Sequence, residues 1–337
     1  MTAGRPEQNQ GTGPRPMPLQ PGWKTRAGDF ARRGVGQLAV GFNGLFGSRA
    51  NERFGILMYH RVVAPVPGFA PPFYNVEPKH FSEQLTGLLE HRFEFWPLSR
   101  VLAAAQRSEP LPPRVVVLTF DDAYGNVYTQ AWPILKRLGL PATVFLATAY
   151  LDSDEPFPFD PWGLAHRGRV PTETYRPLKT AECSEMAESG LIEIGSHTHT
   201  HQDFRGQPDF FRADVSQSVD LLRDRFATDH MMFCFPWGGV HNGFASDELA
   251  RAAQDAGCTC GLTTETAVAN HLGSPFQWGR FNVFDWDTGA TLAAKLGGWY
   301  SWPHIGRPAW THRRSAPASR AAAAGVTQDV LIQEQPS

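Results

Sequence analysis

The stretch Val115-Val116-Val117-Leu118-Thr119-Phe120-Asp121-Asp122 decides the fold. A continuous run rich in β-branched and aromatic residues, without polar alternation, is the pattern of a strand buried on both faces in a parallel sheet. Two carboxylates close it. Downstream, Ile134, Leu135 and Leu138 mark a helix that Gly139 stops, and residues 142–147 form the next strand. Upstream, residues 56–59 form a short strand ending at His60. Pro78 then opens a helix with Phe81, Leu85, Leu88 and Leu89 on one face. Residues 191–194, 231–235 and 258–262 are further strands, with helical stretches at 210–226 and 246–256. Repeated strand–helix units make a parallel sheet, and this many of them predict closure into an α/β barrel.

Composition narrows the function classes. Of 337 residues, 42% are hydrophobic and 12% aromatic, enough for a substantial core, and the 19% charged fraction is that of a globular chain. A net charge of −2 supplies no basic field for nucleic acid. Residues 1–50 read as a flexible leader, 51–310 as a single barrel domain and 311–337 as a disordered tail. The first 21 residues are polar and rich in Pro, Gly and Gln, unlike a secretory signal. Residues 35–46 are apolar but broken by Gly36, Gly41 and Gly44, and fall short of the roughly 20 residues that span a bilayer. The expectation is a cytoplasmic chain without a transmembrane segment. Arg32 and Arg33, ahead of that apolar stretch, offer peripheral contact with a membrane surface as the alternative. Cys183, Cys234, Cys258 and Cys260 lack zinc-ribbon spacing and read as thiols in a reducing compartment.

Four polar constellations follow predicted strands: Tyr59-His60, Asp121-Asp122, Ser196-His197-Thr198-His199-Thr200-His201 and Pro236-Trp237-Gly238. In a parallel barrel those strand ends share one face, where active sites form. Adjacent carboxylates point in different directions, so one can bind a metal while the other faces substrate; an isolated pair is equally an N-cap or a turn. Three histidines in five residues are harder to explain structurally. His197 and His201 share a face in a helix or tight turn, His197 and His199 in an extended segment. Two His and one Asp leave a metal open to water and substrate, and neutral imidazoles suit zinc, iron, cobalt or nickel. One divalent ion, most simply zinc, fits hydrolysis of an ester or amide, with the second Asp taking a proton.

The segments Thr119-Phe120-Asp121-Asp122-Ala123-Tyr124, Pro141-Ala142-Thr143-Val144-Phe145-Leu146 and Gly195 to His201 resemble the polysaccharide deacetylases, carbohydrate esterase family four. Met58-Tyr59-His60-Arg61-Val62 resembles the early Tyr-His element of the exopolysaccharide branch, which acts on poly-N-acetylglucosamine. The resemblance implies a distorted (β/α)7 TIM-like barrel and a divalent metal. It also implies removal of acetyl groups from N-acetylated sugars of a polysaccharide or its precursor. It assigns Asp121 as catalytic base, Asp122, His197 and His201 as metal ligands, and His60 as general acid. Trp237, through its backbone N–H, and Tyr124 fall at the substrate and oxyanion. His199 falls between the ligands on a variable position. Where the family carries an Arg ahead of Pro-Tyr, this chain reads Cys234-Phe235-Pro236-Trp237, so the usual partner of the base is expected to be missing. The late Leu-His acid has no good counterpart either, His271 being a poor match.

Two other readings remain at this stage. A small-molecule amidohydrolase could share the barrel, although its His-x-His belongs on an early strand and these histidines follow at least three. A non-catalytic glycan-binding relative is kept open by the absent Arg. Phe157, Phe159, Trp162, Trp237, Trp278 and Trp286 are candidates to line a sugar groove, against the alternative that they are core.

Overall fold

A computed structural model describes residues 53–228 and 230–298. The leader at 1–50, its arginine-led apolar stretch and the tail at 311–337 lie outside the described residues.

In chain order the strands are β1 (Gly55–Tyr59), β2 (Arg61–Val62), β3 (Asn75–Val76), β4 (Glu94–Phe95), β5 (Val115–Phe120), β6 (Ala142–Leu146), β7 (Ile192–Ser196) and β8 (Phe281–Asn282). The helices are α1 (Pro78–Glu90), α2 (Leu98–Gln106), α3 (Trp132–Leu138), α4 (Pro161–His166), α5 (Thr180–Glu188), α6 (Pro208–Phe226), α7 (Asp247–Asp255) and α8 (Gly289–Leu296). No helix among the described residues is long and apolar enough to cross a membrane.

The main sheet runs β7-β6-β5-β1-β8, all parallel. β1 and β5 pair from Gly55↔Val116 to Tyr59↔Phe120. β4 lies against the first two residues of β5, on the side where β6 pairs only with Thr119 and Phe120. The expected strands at 231–235 and 258–262 contract to single parallel bridges, Ser196↔Phe233 and Cys234↔Leu262. Pro236 lacks an N–H and Trp237 is left-handed, which stops the first of them early. Hydrogen bonds then run from Gly261 to Pro275, Thr263 to Trp278 and Arg280 to Glu265, and lead directly into β8. β8 pairs back onto Leu57 and Met58 of β1. The result is the (β/α) barrel of seven strand positions, distorted along the arc between β7 and β8.

Alternation along the strands sorts the core into two populations. Leu57, Val116, Leu118, Val144, Leu146, Ile192 and Ile194 pack outward against the helices. Ile56, Val115, Val117, Phe145, Met232, Cys234 and Leu262 pack inward, together with Leu98, Val101 and Leu102 of α2. Helix α2 covers the N-terminal end of the barrel, where Glu193 of β7 accepts from the N–H groups of Leu98 and Ser99. Gly195 faces the same crowded interior: a Cβ there would lie 2.7 Å from the Phe145 ring. In α1, Phe81, Leu85 and Leu88 are buried as the pattern predicts, but Leu89 is exposed, at the edge of the apolar arc. All four cysteines are buried and free.

Candidate metal centre and active site

Inward parity carries the functional groups to the C-terminal mouth. Asp121 continues the interior row Val115, Val117 and Thr119, and His197 continues Glu193 and Gly195. At Asp122 the chain turns left-handed, with φ of +67° there and +65° at Ala123. Two consecutive non-glycine residues in this region are uncommon, and such backbone clusters at functional sites. The turn lets both members of an adjacent Asp pair serve one mouth.

Asp122 Oδ1 lies 3.5 Å from His197 Nε2 and 3.4 Å from His201 Nε2. All three residues are buried, and their ligand atoms lie within 4.8 Å of one another. His197 Nδ1 is 2.9 Å from the Cys234 carbonyl oxygen, which fixes the tautomer and leaves Nε2 as the electron-pair donor. A left-handed Thr198 and a left-handed His201, with φ of +66° and +54°, form the tight turn that pairs His197 with His201. His199 points elsewhere, its Nδ1 2.9 Å from Thr148 Oγ1. This donor set of two imidazoles and one carboxylate fits a divalent cation with open positions.

The electrostatics agree with that arrangement. Burial drives the His201 imidazole down to about 3, so it is neutral near pH 7. Burial also opposes charge on Asp122, but the two histidines outweigh it and hold its carboxyl well below the usual range. Burial disfavours the His197 cation as well; Asp122 and Asp121 overcome this and raise its pKa.

Asp121 stands beside this triangle with a different partner. Arg280 Nη1 and Nη2 donate to its two carboxylate oxygens at 2.6 and 2.7 Å, and Arg280 is fully buried. Arg280 Nε also donates to the Thr263 carbonyl at 3.1 Å. The expectation of a missing arginine is thus corrected: the guanidinium arrives from the residue preceding β8, across the barrel, while Cys234 stands at the usual position. The Cys234 thiol reaches Asp121 Oδ1 at 3.5 Å and His197 Nδ1 at 2.9 Å. Burial pushes the Asp121 carboxyl up, but Arg280 outweighs it and keeps the group ionised. Sequence reading missed Arg280. Its signal was a lone arginine in Trp278-Gly279-Arg280-Phe281, a strongly apolar context.

His60 follows β1 and stacks on Tyr74, with centroids 4.7 Å apart and planes at 12°. Burial lowers its pKa, against the opposing fields of Asp122 and Asp121. Trp237 carries φ +57°, and its ring meets His201 in a T-shaped contact with centroids 4.7 Å apart. Tyr124 is buried: its hydroxyl accepts from Arg61 Nη2 at 2.7 Å, and the guanidinium lies 3.9 Å from its ring centre. It therefore braces the wall of the mouth. His271 is also buried, bonded to the Glu109 carbonyl at the opposite end of the barrel. Of the candidate groove aromatics, Phe157 and Trp278 are core, at 0% and 2% exposure. Phe159 lies over His201 at 3.8 Å, and Trp286 stacks on Phe284 at 4.6 Å.

Residues 108–261, from just before β5 to the second bridge strand, match the polysaccharide deacetylase family. Those residues carry the signature of a polysaccharide deacetylase domain. It is 25% identical over 243 residues to YxkH of Bacillus subtilis, covering 72% of this chain and 75% of that one. It is also 25% identical over 201 residues to the poly-β-1,6-N-acetyl-D-glucosamine N-deacetylase of Staphylococcus epidermidis, covering 57% of this chain and 62% of that one. The chain therefore spans less than two thirds of the staphylococcal relative. The Streptococcus pyogenes deacetylase PplD, solved in complex with acetate, shares the fold at a TM-score of 0.58 and 23% identity, over 72% of this chain and 98% of that one. The family so matched consists of carbohydrate deacetylases, hydrolases that use a divalent metal.

Proposed function

We propose that this protein is a polysaccharide deacetylase that removes acetyl groups from a β-linked N-acetylglucosamine polymer or its precursor, with zinc as its cation. Support for the sugar comes from the activity named for the staphylococcal relative and from the early Tyr-His element at Tyr59-His60. Support for zinc comes from the two-imidazole, one-carboxylate donor set.

One observation carries the reading: both carboxylate oxygens of the ionised Asp121 are taken up by Arg280, while Asp122 faces His197 and His201. Ligation and proton transfer thus fall to different carboxylates. A bound cation supplies Lewis-acid polarisation of the acetyl carbonyl and an acidified water. Asp121 takes the proton from the attacking water. The Trp237 N–H donates to the developing oxyanion. His60 delivers a proton to the departing sugar nitrogen, which cannot leave as an anion. With Arg280 in place, the ground for a non-catalytic relative disappears.

The test is acetate release from N-acetylglucosamine oligomers, polymer, and lipid- or nucleotide-linked precursors. Release that chelation abolishes and zinc restores is expected. Full activity in metal-free protein, or no release from any N-acetyl sugar, overturns the reading.

A further inference from the structure

The two histidines of the triangle are held in different ways. His197 has an outside acceptor for Nδ1, the Cys234 carbonyl at 2.9 Å. The Nδ1 of His201 is buried and, apart from His201's own backbone, meets no acceptor among the described residues. Ligand imidazoles ordinarily depend on such an acceptor for orientation. What His201 has instead is a ring: Phe159 stacks on its face at 3.8 Å and 19°, and Trp237 makes a T-shaped contact with it at 4.7 Å and 62°.

Phe159 is itself held firmly. Its neighbour Asp160 is 3% exposed and ion-paired to Arg61, a buried residue that also donates to Tyr124. Phe159 further stacks on the buried Phe157 at 4.9 Å. Gly163 packs close beneath Asp160, where a Cβ would meet Asp160 Oδ2 at 2.3 Å. The loop bearing Phe159 is therefore pinned to the segment after His60 and to the segment after the Asp pair.

The geometry points to Phe159 as a positioning residue for the ligand His201, its ring face doing what a hydrogen-bond acceptor does for His197. Rotation of the imidazole about its own axis would swing Nε2 away from Asp122 and drive the ring edge into Phe159. The stack therefore favours the ligating orientation. This inference rests on the reading of Asp122, His197 and His201 as the ligand set.

The experiment measures zinc affinity of the whole chain by competition with a chromophoric chelator. Phe159→Leu and Phe159→Met, which keep apolar bulk without a flat ring, should weaken zinc binding about tenfold or more, the scale of losing an orienting partner. Phe159→Tyr should stay close to the parent. Either folded flat-ring-less variant binding zinc as tightly as the parent overturns the inference. A parent that binds no zinc instead overturns the ligand set. Should neither variant fold, proton NMR of the zinc-loaded parent decides: His201 Hε1 should be shifted upfield of His197 Hε1 by the Phe159 ring current, and its absence sinks the idea.

Discussion

Arg280 and Asp121 lie 159 residues apart in the chain and meet through two hydrogen bonds of 2.6 and 2.7 Å inside the barrel mouth. The planar fork of the guanidinium matches the carboxylate, so it fixes orientation as well as charge. Removing one partner of a buried pair leaves an uncompensated charge, at about 3–5 kcal/mol. Arg280→Met should therefore lower stability on that scale and abolish acetate release. Adding Asp121→Asn should recover much of the stability and none of the activity. Urea denaturation of the two singles and the double checks this, and additive losses would contradict the pairing.

The pair also shows where sequence reading reached its limit. The run Val115–Phe120 announced a doubly buried strand, and the structure has it with those bounds. The cluster of Asp122, His197 and His201 was equally visible, because its members sit in short local patterns. Arg280 was not, because its partner is remote and its own strand, β8, is two residues long. The strands at 231–235 and 258–262 shrank for a related reason: each makes little regular pairing, which hydrophobic runs cannot report. Inward parity would have flagged both Cys234 and Arg280, once the barrel closure was known.

Removal of the cation should cost stability as well as turnover. A ligand bound only by the folded state, at about 100 times its Kd, adds about 2.7 kcal/mol. Chelation should thus lower the melting temperature of the parent, and Asp122→Asn should already melt at the chelated value with no further response to chelator. Equal chelator sensitivity in both proteins would place the ion elsewhere.

Acid sensitivity of the metal-free protein follows from His201. Its folded pKa of about 3 lies below the ordinary 6.5. Between those values the unfolded chain binds more protons, so stability rises with pH there. The contribution is complete above pH 6.5 and is lost as pH falls towards 3. His197, raised mainly against burial by Asp122, acts in the opposite direction. Urea midpoints of chelated protein should fall between pH 7 and pH 5, and His201→Gln should fall less steeply. A steeper fall in the variant would reverse the assignment.

The four thiols should be silent in the folded chain. Burial pushes Cys260 up to about 12 and Cys234 far above its ordinary value. Thiolate is the reactive form, so native protein at pH 8 should take up no alkylating reagent, and unfolded protein should take up four equivalents. Labelling of Cys234 without unfolding would show that the mouth opens to its floor.

His60 gives the sharpest test of the chemistry. An acid matters most when the leaving group is a poor one, and a sugar amine must be protonated to depart. His60→Ala should lower kcat for acetamide substrates by roughly 10²–10⁴, with zinc still bound at one equivalent. The same variant acting on an activated aryl acetate should lose far less, because a phenolate with a low conjugate pKa leaves unaided. Steady-state rates on both substrates, alongside metal analysis, separate the roles. Equal losses on amide and activated ester would show that His60 positions water or metal instead, since only a proton donor discriminates by leaving group.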